Sequence, residues 1–534
     1  MSLWAQPLNP LHAIGLSALA AAIPMLLLLF LMGGLRKSGY ISAAWALAGA
    51  CLMAVTVWHM PVKLALSSMI YGGIYGLWPI MWIVMAALWL YNLTVDTGKF
   101  DLLRRWMGKH ASGDMRIQAI LVAFCFGALL EGTAGFGVPV AVAAFLLVGL
   151  GFSSQKAVTL SLLANTAPVA FGGLGIPIVA LAAVTGLDQM KLSAMVGRQL
   201  PFLSLLIPAF LVLVAAGRKG LRETWPAALV AGGSFAIVQF AVSNYWGPYA
   251  ADVLASLTSI AALILFLRVW NPALSGPSSD APAEIKESPE LSSSEAVIAW
   301  TPWVVLAGVM VVWSYFKLFQ KAEVGLHVPF LHNAVFITLY HRPYAAIYQF
   351  QPLAAGTAAL VAVLITALVL GASPAALLHS GWKTFRQLLL PGLTVALIVA
   401  LAFLYNYSGM AYTLGAALAG LGVFFPFVSG YLGWVACFLS GSDTASNLLF
   451  GNLQVAAAHQ IGVNPILLAA TNSSGAVTGK MISPQNIAVG VTTVGLVGHE
   501  GEVLRTTFWY SVLLALGLSV LAFAQAYWLK WMIP

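Results

Sequence analysis

Long apolar runs, broken by short polar segments, dominate the chain. Runs of about 18 or more residues with few charges recur between residues 11 and 530. Because about 20 helical residues cross a hydrocarbon layer of roughly 30 Å, these runs predict membrane-spanning helices. Several other runs are too short to cross. We therefore predict an all-α integral membrane protein with roughly 12–14 transmembrane helices and additional re-entrant or discontinuous pieces.

One stretch changes character completely. Residues 271–297 are rich in Pro, Ser and Glu, a composition that predicts a polar linker. The linker divides the chain into an N-terminal membrane half, 1–270, and a C-terminal membrane half, 298–534.

Three further segments are expected at the membrane surface. Residues 317–350 contain several tyrosines and resemble a solvent-side loop with interfacial aromatic residues. Residues 95–115 and 374–387 mix basic and apolar positions at helical spacing, which is typical of interfacial helices.

Polar residues interrupt the apolar runs twice in each half. The first half has LLEGTAGFG at 129–137 and ANTAPVAFGGLGIP at 164–177, and the second has FLSGSDTAS at 438–446 and TNSSGAVTGKMISP at 471–484. Paired interruptions of this kind are typical of secondary transporters in which discontinuous helices hold a substrate near the midplane. They predict two inverted repeats. The segments expected to surround the site are 131–137, 165–173, 441–447 and 472–480.

The internal spacing of the interruptions supports the repeat. Asn165 is followed by glycine after seven residues and by proline after twelve, and Asn472 is followed by the same two residue types at the same distances. Glycine and proline end helices, and the N-terminus of a half-helix offers unpaired N–H groups that favour an anion. The pattern therefore predicts a small anionic substrate between two related halves.

Composition and charge agree with a membrane protein. The chain is 61% hydrophobic and 7% charged, against roughly a quarter charged in soluble proteins. Arg36 and Lys37 follow the first span and place its C-terminal end in the cytoplasm. The net charge of +8 is explained by this topology and by anionic lipid headgroups, so no nucleic-acid partner is predicted. Cys51, Cys125 and Cys437 lack metal-ligand spacing and predict neither a metal site nor a disulfide framework.

Three charged residues fall within the interrupted apolar segments. Each costs about 2.5–3.5 kcal/mol at the bilayer centre, so each needs a partner or a function. Glu131 and Asp443 are the candidate proton-coupling residues, desolvated acids that could load and release a proton. Lys480 either binds a substrate carboxylate or neutralises Asp443. For both acids, the alternative is a structural role in tying helices together.

The candidate substrate-binding residues are small or polar and lie in or near the interruptions. Hydrogen bonding between helices explains such residues one at a time, but their concentration at matched positions favours a binding site. The candidates are Gly132, Thr133, Gly135, Asn165, Thr166, Tyr407, Ser442, Thr444, Asn447, Asn472, Ser473, Ser474 and Lys480.

Motifs for enzymatic chemistry fail on inspection. The stretch GAVTGKM at 475–481 has three residues where a phosphate-binding loop requires four, and Met where Ser or Thr should bind Mg²⁺. We therefore predict neither an enzyme nor a bound cofactor.

The interrupted segments resemble a known family. LLEGTAGFGVPVAV, ANTAPVAFGGLGIP, SGSDTASNLLFGNLQ and TNSSGAVTGKMISPQNIAVG are similar to the signature stretches of the bacterial L-lactate permease family, and the resemblance spans nearly the whole chain. One departure is Thr133, where Ala is more usual. The resemblance implies a symporter of the bacterial inner membrane that imports L-lactate with protons, with D-lactate and glycolate as related substrates. It also implies kinship with ion transporters built from inverted repeats.

The expected partners are therefore a small 2-hydroxymonocarboxylate anion, protons and the lipid bilayer, and the sequence predicts no oligomeric state. Two alternatives stay open. A sodium-coupled carrier of another organic anion, such as a dicarboxylate, could use the same Asn and Ser/Thr residues as Na⁺ ligands. A membrane enzyme or sensor could bind the anion without moving it.

Overall fold

The computed structural model describes residues 3–110, 114–135, 137–270, 292–318 and 321–534. The helices of the first half are α1 (Ile14–Leu29), α2 (Gly39–Thr56), α3 (Val62–Tyr75), α4 (Trp82–Asp96), α5 (Lys99–His110), α6 (Met115–Gln118), α7 (Gly127–Thr133), α8 (Val138–Gly149), α9 (Ser154–Ala164), α10 (Gly172–Thr185), α11 (Gln189–Val196), α12 (Leu200–Tyr245) and α13 (Ala251–Val269).

The helices of the second half are α14 (Ser293–Tyr315), α15 (Ala355–Val369), α16 (Pro374–Ser408), α17 (Met410–Leu418), α18 (Phe425–Ser440), α19 (Asp443–Ile461), α20 (Pro465–Lys480), α21 (Pro484–Thr493) and α22 (Glu500–Tyr527). Short π-helical segments are Phe30–Gly34, Gly76–Met81 and Ala119–Phe126, and short 3₁₀ segments are Val169–Phe171, Ala419–Phe424 and Lys530–Met532. The strands are β1 (Trp4–Ala5), β2 (Val324–His327), β3 (Val335–Ile337), β4 (Arg342–Pro343) and β5 (Ile347–Phe350).

The prediction of an all-α membrane class is confirmed. Within the described ranges, ten helices are long and apolar enough to cross a bilayer, or eleven if the bent pair Ser154–Ala164 and Val169–Thr185 is one span. This is fewer than the 12–14 expected. One reason is that Gln189–Tyr245 counts as one 57-residue element although its backbone turns at Gly217, with φ +70°. The inverted relation of the two halves stays a prediction.

A left-handed turn lies at the start of α10, a few residues after the break that follows α9. Gly173, Leu174 and Gly175 have successive φ values of +53°, +60° and +75°. A left-handed residue other than glycine costs about 1–2 kcal/mol, so this turn depends on the glycines on either side of the buried Leu174. The helices Ser154–Ala164 and Val169–Thr185, on either side of residues 165–168, meet at 65°.

Close backbone approach joins α18 to α20. A Cβ added at Gly475 would lie 2.0 Å from the carbonyl oxygen of Gly430, and one added at Gly433 would lie 2.0 Å from that of Asn472. A Cβ at Gly479 would lie 2.3 Å from the carbonyl oxygen of Trp434. In lipid, where no hydrophobic force drives helices together, small residues allow such contacts and the dispersion attraction that they bring. The hairpin of α18 and α19 is thereby fixed against α20.

A second group of helices flanks the broken ones and draws on both halves. Helix α16 packs on α2 and α3, and α15 packs on α4. The amide Nδ2 of Asn92 in α4 donates to Thr384 Oγ1 in α16 at 2.8 Å, which satisfies a polar group that lipid could not. We call α1–α4 and α14–α16 the flanking group. Residues 374–387, expected to form an interfacial helix, are instead the start of the 35-residue helix α16.

The end of the molecule opposite Arg36 and Lys37, which the charge pattern predicts to face the outside, carries short strands. Strand β1 pairs in parallel with β3, β3 pairs with β4, and β2 pairs with β5. The expected loop at 317–350 therefore contains four short strands, which form two small sheets, one of them together with the N-terminal strand β1. We call these two sheets the outer cap. Tyr71 of α3 donates to the carbonyl oxygen of Ile347 at 2.9 Å and ties the cap to the helices.

The predicted linker, 271–297, is described only at its C-terminal end. Residues 271–291 lie outside the described residues. Helix α14 begins at Ser293, inside the expected linker, with a capping box in which Ser292 and Glu295 satisfy each other's backbone N–H groups.

Replacing Gly475 by Ala should strongly destabilise the protein. The new methyl group would meet the backbone of α18, which cannot rotate away, and overpacking typically costs about 1–3 kcal/mol or more. The matched control is Gly517→Ala in α22, where nothing lies within 4 Å of the added Cβ. We expect a clearly lower melting temperature in detergent for Gly475→Ala alone. Equal melting of the two variants would contradict this account of the α18–α20 contact.

Candidate functional site

A cavity of about 540 Å³ lies between the flanking group and the interrupted helices. One wall is largely apolar and comes from α4 and α16, with Val84, Leu390, Val395 and Ile398 among its residues. The opposite wall carries most of the polar lining residues. These are Glu131, Ser440, Ser442, Asp443, Thr444, Lys480, Gln485 and Asn486. Polar residues are therefore exposed to the cavity at the points where the helices of both halves are interrupted.

A buried ion pair stands in the polar wall. Lys480 Nζ lies 2.7 Å from Glu131 Oε1, and Asn165 Nδ2 donates to Glu131 Oε2 at 2.8 Å. Only 3% of Glu131 and 8% of Lys480 are exposed. The sequence left open whether Lys480 neutralises Asp443, but its ion-pair partner is Glu131, 349 residues away. The charges of the two halves thus compensate each other.

Local backbone geometry places both members of the pair. Glu131 lies in the last turns of α7, and the hairpin to α8 turns through Gly135 and Gly137, with φ values of +58° and +84°. A Cβ at Gly172 would lie 2.7 Å from Glu131 Oε1, so glycine at that position leaves room for the carboxylate. Lys480 ends α20, where a cation also interacts favourably with the helix dipole.

Asp443 begins α19 at the tip of the second hairpin. Gly441 turns the chain with φ +72°, and Ser442 caps the helix by accepting from the N–H of Ala445. Asp443 Oδ2 accepts from Ser473 Oγ at 2.8 Å, whereas the buried Oδ1 has no hydrogen-bond partner among the described residues. This carboxyl group is therefore incompletely satisfied beside the cavity.

Helices α19 and α21 begin at the cavity. Residues in the first turns of α19 and α21, namely Asp443, Gln485 and Asn486, are in its lining, and the first turn of a helix has N–H groups without intrahelical partners. Asn486 Nδ2 in α21 donates to the carbonyl oxygen of Gly441 at 3.0 Å and holds α21 against the second hairpin. Helix N-termini and Lys480 together create a place that favours an anion.

Six of the predicted site residues line the cavity. They are Glu131, Gly135, Ser442, Asp443, Thr444 and Lys480. Asn165 lies behind it and acts through its hydrogen bond to Glu131. Gly132 packs on α13, and the hydroxyl group of Thr133 donates to the carbonyl oxygen of Leu129 at 2.8 Å. The hydroxyl groups of Thr166 and Ser474 are buried without a partner among the described residues.

The remaining amides form a network behind the cavity. Asn447 Nδ2 donates to Ser473 Oγ and to the carbonyl oxygen of Pro177, both at 3.1 Å. Asn472 Nδ2 donates to Asn447 Oδ1 at 3.0 Å. The bond from Asn447 to Pro177 joins the two halves, and the other two lie within the second half. Because these groups are outside the cavity lining, they serve here to hold helices together. Tyr407 lies beneath the outer cap, stacked on Tyr344 with ring centroids 4.1 Å apart.

Sequence reasoning missed several lining residues. Gln485 and Asn486 follow Pro484, and a proline at the start of α21 is a helix-start signal that could have identified them. The residues that α16 contributes are apolar apart from Thr394, so the sequence gives little indication of them. Within the described ranges, no group of three or more His, Cys, Asp or Glu residues is arranged to hold a metal ion.

Comparison with known families gives a match to L-lactate permease over residues 17–529. The chain belongs to the L-lactate permease family. It is thus a permease rather than an enzyme, and a multi-pass membrane protein of the bacterial inner-membrane type, as its apolar helices also indicate.

Relatives cover the full length of this permease. Glycolate permease GlcA of Escherichia coli K12 is 44% identical over 99% of each chain. L-lactate permease of Salmonella typhimurium LT2 is 43% identical over 100% of each chain, and that of Bacillus subtilis 168 is 41% identical over 99% of this chain and 100% of the relative. Among solved structures, the YdaH transporter of Alcanivorax borkumensis is similar in fold, with a TM-score of 0.51 at 15% identity, covering 93% of this chain and 100% of that one.

Breaking the buried ion pair should cost more stability than removing it. Lys480→Gln leaves Glu131 as an uncompensated buried charge, a change that typically costs about 3–5 kcal/mol. The double variant Glu131→Gln/Lys480→Gln should recover much of that loss. Lys383→Gln is the control, because its bridge to Asp96 is solvent-exposed and worth less than about 1 kcal/mol. Melting temperatures in detergent test the order, and a double variant no more stable than Lys480→Gln would contradict it.

Proposed function

We propose that this permease is a secondary active transporter that imports L-lactate, and also D-lactate and glycolate, together with protons by alternating access. The names of its full-length relatives, L-lactate permease and glycolate permease, support a small 2-hydroxycarboxylate as substrate. The proton and the transport cycle are supported by the charges around the cavity.

The observation that carries the proposal is the Lys480–Glu131 pair in the cavity wall. A substrate carboxylate that binds Lys480 competes with Glu131 for the same ammonium group. Once displaced, Glu131 would be a buried carboxylate without a cation, and such a group binds a proton rather than stay charged. Anion binding and proton binding are therefore linked through one lysine. Asp443, with its unpartnered Oδ1, is the second candidate for proton binding.

Neighbouring groups fit the rest of a 2-hydroxycarboxylate. Thr444 and Asn486 offer a hydroxyl and an amide in reach of the substrate's hydroxyl group, and the N-terminus of α19 offers N–H groups to its carboxylate. The apolar wall, with Val84 and Ile398, accommodates the methyl group of lactate. Lys480 is the one cation among the described lining residues, which favours a monocarboxylate over a dicarboxylate.

The positions of the cavity and the outer cap support an inward-open state. Ser38 and Tyr40, next to the cytoplasmic residues Arg36 and Lys37, line one end of the cavity. At the opposite end, the outer cap and the stack of Tyr344 on Tyr407 cover the helices. Movement of the hairpins and broken helices against the flanking group would then expose the same residues to the outside.

The sodium-coupled alternative has one supporting observation, the unpartnered Asp443 Oδ1. The amide oxygens of Asn447 and Asn472, which would have to bind Na⁺, already accept hydrogen bonds. Asn447 Oδ1 accepts from Asn472 Nδ2 at 3.0 Å, and Asn472 Oδ1 accepts from Gln454 Nε2 at 3.3 Å. An imposed Na⁺ gradient at constant pH separates the two ideas. Uptake of radiolabelled lactate into proteoliposomes should follow a pH gradient instead, with competition by glycolate but little by succinate.

Replacing Glu131 by Gln should uncouple the transporter. The amide cannot exchange a proton, so accumulation driven by a pH gradient should be lost, while counterflow of lactate against preloaded lactate is partly retained. The control is Glu502→Gln on the exposed cytoplasmic surface, which should behave as the unmodified protein. Full pH-dependent accumulation by Glu131→Gln would rule out Glu131 as the coupling residue.

A further inference from the structure

A third buried acid lies next to Glu131 but outside the cavity lining. Asp252 is in the first turn of α13, and only 1% of it is exposed. Its Oδ1 accepts from Gln239 Nε2 at 3.1 Å, and its buried Oδ2 has no hydrogen-bond partner among the described residues. The sequence does not single out Asp252 as a functional residue, because an acid at the start of a helix is ordinarily explained by the helix dipole.

The amide of Gln239 is fixed in one orientation. Gln239 Oε1 accepts from Ser204 Oγ at 2.7 Å, and Nε2 also donates to the carbonyl oxygen of Ala167 at 3.2 Å. Gln239 must therefore present a donor to Asp252. Ala167 lies in the helix break two residues after Asn165, the residue that donates to Glu131. Each acid is thus linked through one amide group to the same helix break.

Direct packing brings the acids together. A Cβ added at Gly132 would lie 2.9 Å from Asp252 Cβ and 3.1 Å from the backbone nitrogen of Val253. Because Gly132 follows Glu131 directly, the first turn of α13 packs on the residue next to the ion pair.

The surroundings of Asp252 support both of its charge states. The helix N-terminus and the Gln239 donor stabilise a carboxylate, whereas burial without a cation stabilises the acid. Glu131 decides between them, because two neighbouring carboxylates resist being ionised together. Other elements packed on α13 also carry titratable residues. The segment Ala119–Phe126 contributes Cys125, which contacts Ser259 two turns further along, and α10 contains none. Helix α14 carries Glu295, and α12 carries Tyr245 near its end and, far along the helix from Gln239, the charged residues Arg218, Lys219, Arg222 and Glu223.

We propose that Asp252 relays protons between the outer side of the membrane and Glu131, on a route separate from the substrate cavity; this rests on the proposed proton coupling. Helix α13 begins at the outer end, because α12 runs there from the basic cluster at 218–222. In the relay the protonated Asp252 loses its proton as Glu131, displaced from Lys480, gains one. Asp252 is then reprotonated from the outer side.

Asp252→Asn tests the relay directly. Initial rates of uptake driven by external acid should fall roughly tenfold or more, as for loss of a positioned proton-transfer group, while lactate counterflow stays within about twofold. The matched control is Asp188→Asn, the same change at the exposed start of α11, which should leave both rates unchanged. An Asp252→Asn variant with unmodified acid-driven uptake and pH profile would overturn the relay.

Three further measurements complete the test of the relay. If the unmodified protein shows no uptake driven by a pH gradient, the proposed coupling fails, and the relay with it. If Asp252→Asn does not fold, Gln239→Leu replaces it: loss of the amide donor favours protonated Asp252 and should move the pH profile of uptake to higher pH. An unchanged profile in that variant would count against the relay. Infrared difference spectra should also show a carboxylic acid C=O band in the unmodified protein.

Discussion

The ion pair between Glu131 and Lys480 is the constraint on which the site depends. Neither charge is stable alone away from water, so the first hairpin and the broken helix of the second half must meet. Asn165 stabilises this contact by donating a hydrogen bond to the carboxylate of Glu131. Gly172 leaves room for the carboxylate because it has no side chain. The pair therefore determines where the two halves touch, and its position in the cavity wall makes that contact sensitive to a bound anion.

Close packing of backbone on backbone at glycines makes the arrangement of these helices rigid. Helix α20, which ends in Lys480, lies against α18 through glycines whose neighbours are backbone atoms. Such contacts allow little sliding, so Lys480 and Asp443 keep a fixed relation on the second-half side. On the first-half side the left-handed turn at 173–175 fixes the start of α10. If the ion pair is disturbed, the hairpins and broken helices are therefore expected to move as a unit against the flanking group, rather than to rearrange internally.

The sequence predicted the membrane class, the four interruptions and the charged residues, because each of these is a local pattern of polarity. It did not predict which acid Lys480 contacts, since no spacing rule relates residues 349 positions apart. Matched positions also differ in use: Gly172 makes room for a carboxylate, whereas Gly479 makes room for a carbonyl oxygen of Trp434. The outer strands were missed because strands of two to four residues depend on partners far away in the chain.

The balance of charge around the cavity connects the fold to the proposed cycle. The described lining has one ammonium group, Lys480, for two carboxyl groups, Glu131 and Asp443. A monoanion entering this site would raise the negative charge further unless a carboxyl group were neutralised, and a proton is the smallest group that does so. Asp252, behind Glu131 and away from the cavity, adds a third carboxyl to the same small volume. The proposed coupling to protons would then follow from how few cations the buried site contains, rather than from any single proton-binding residue.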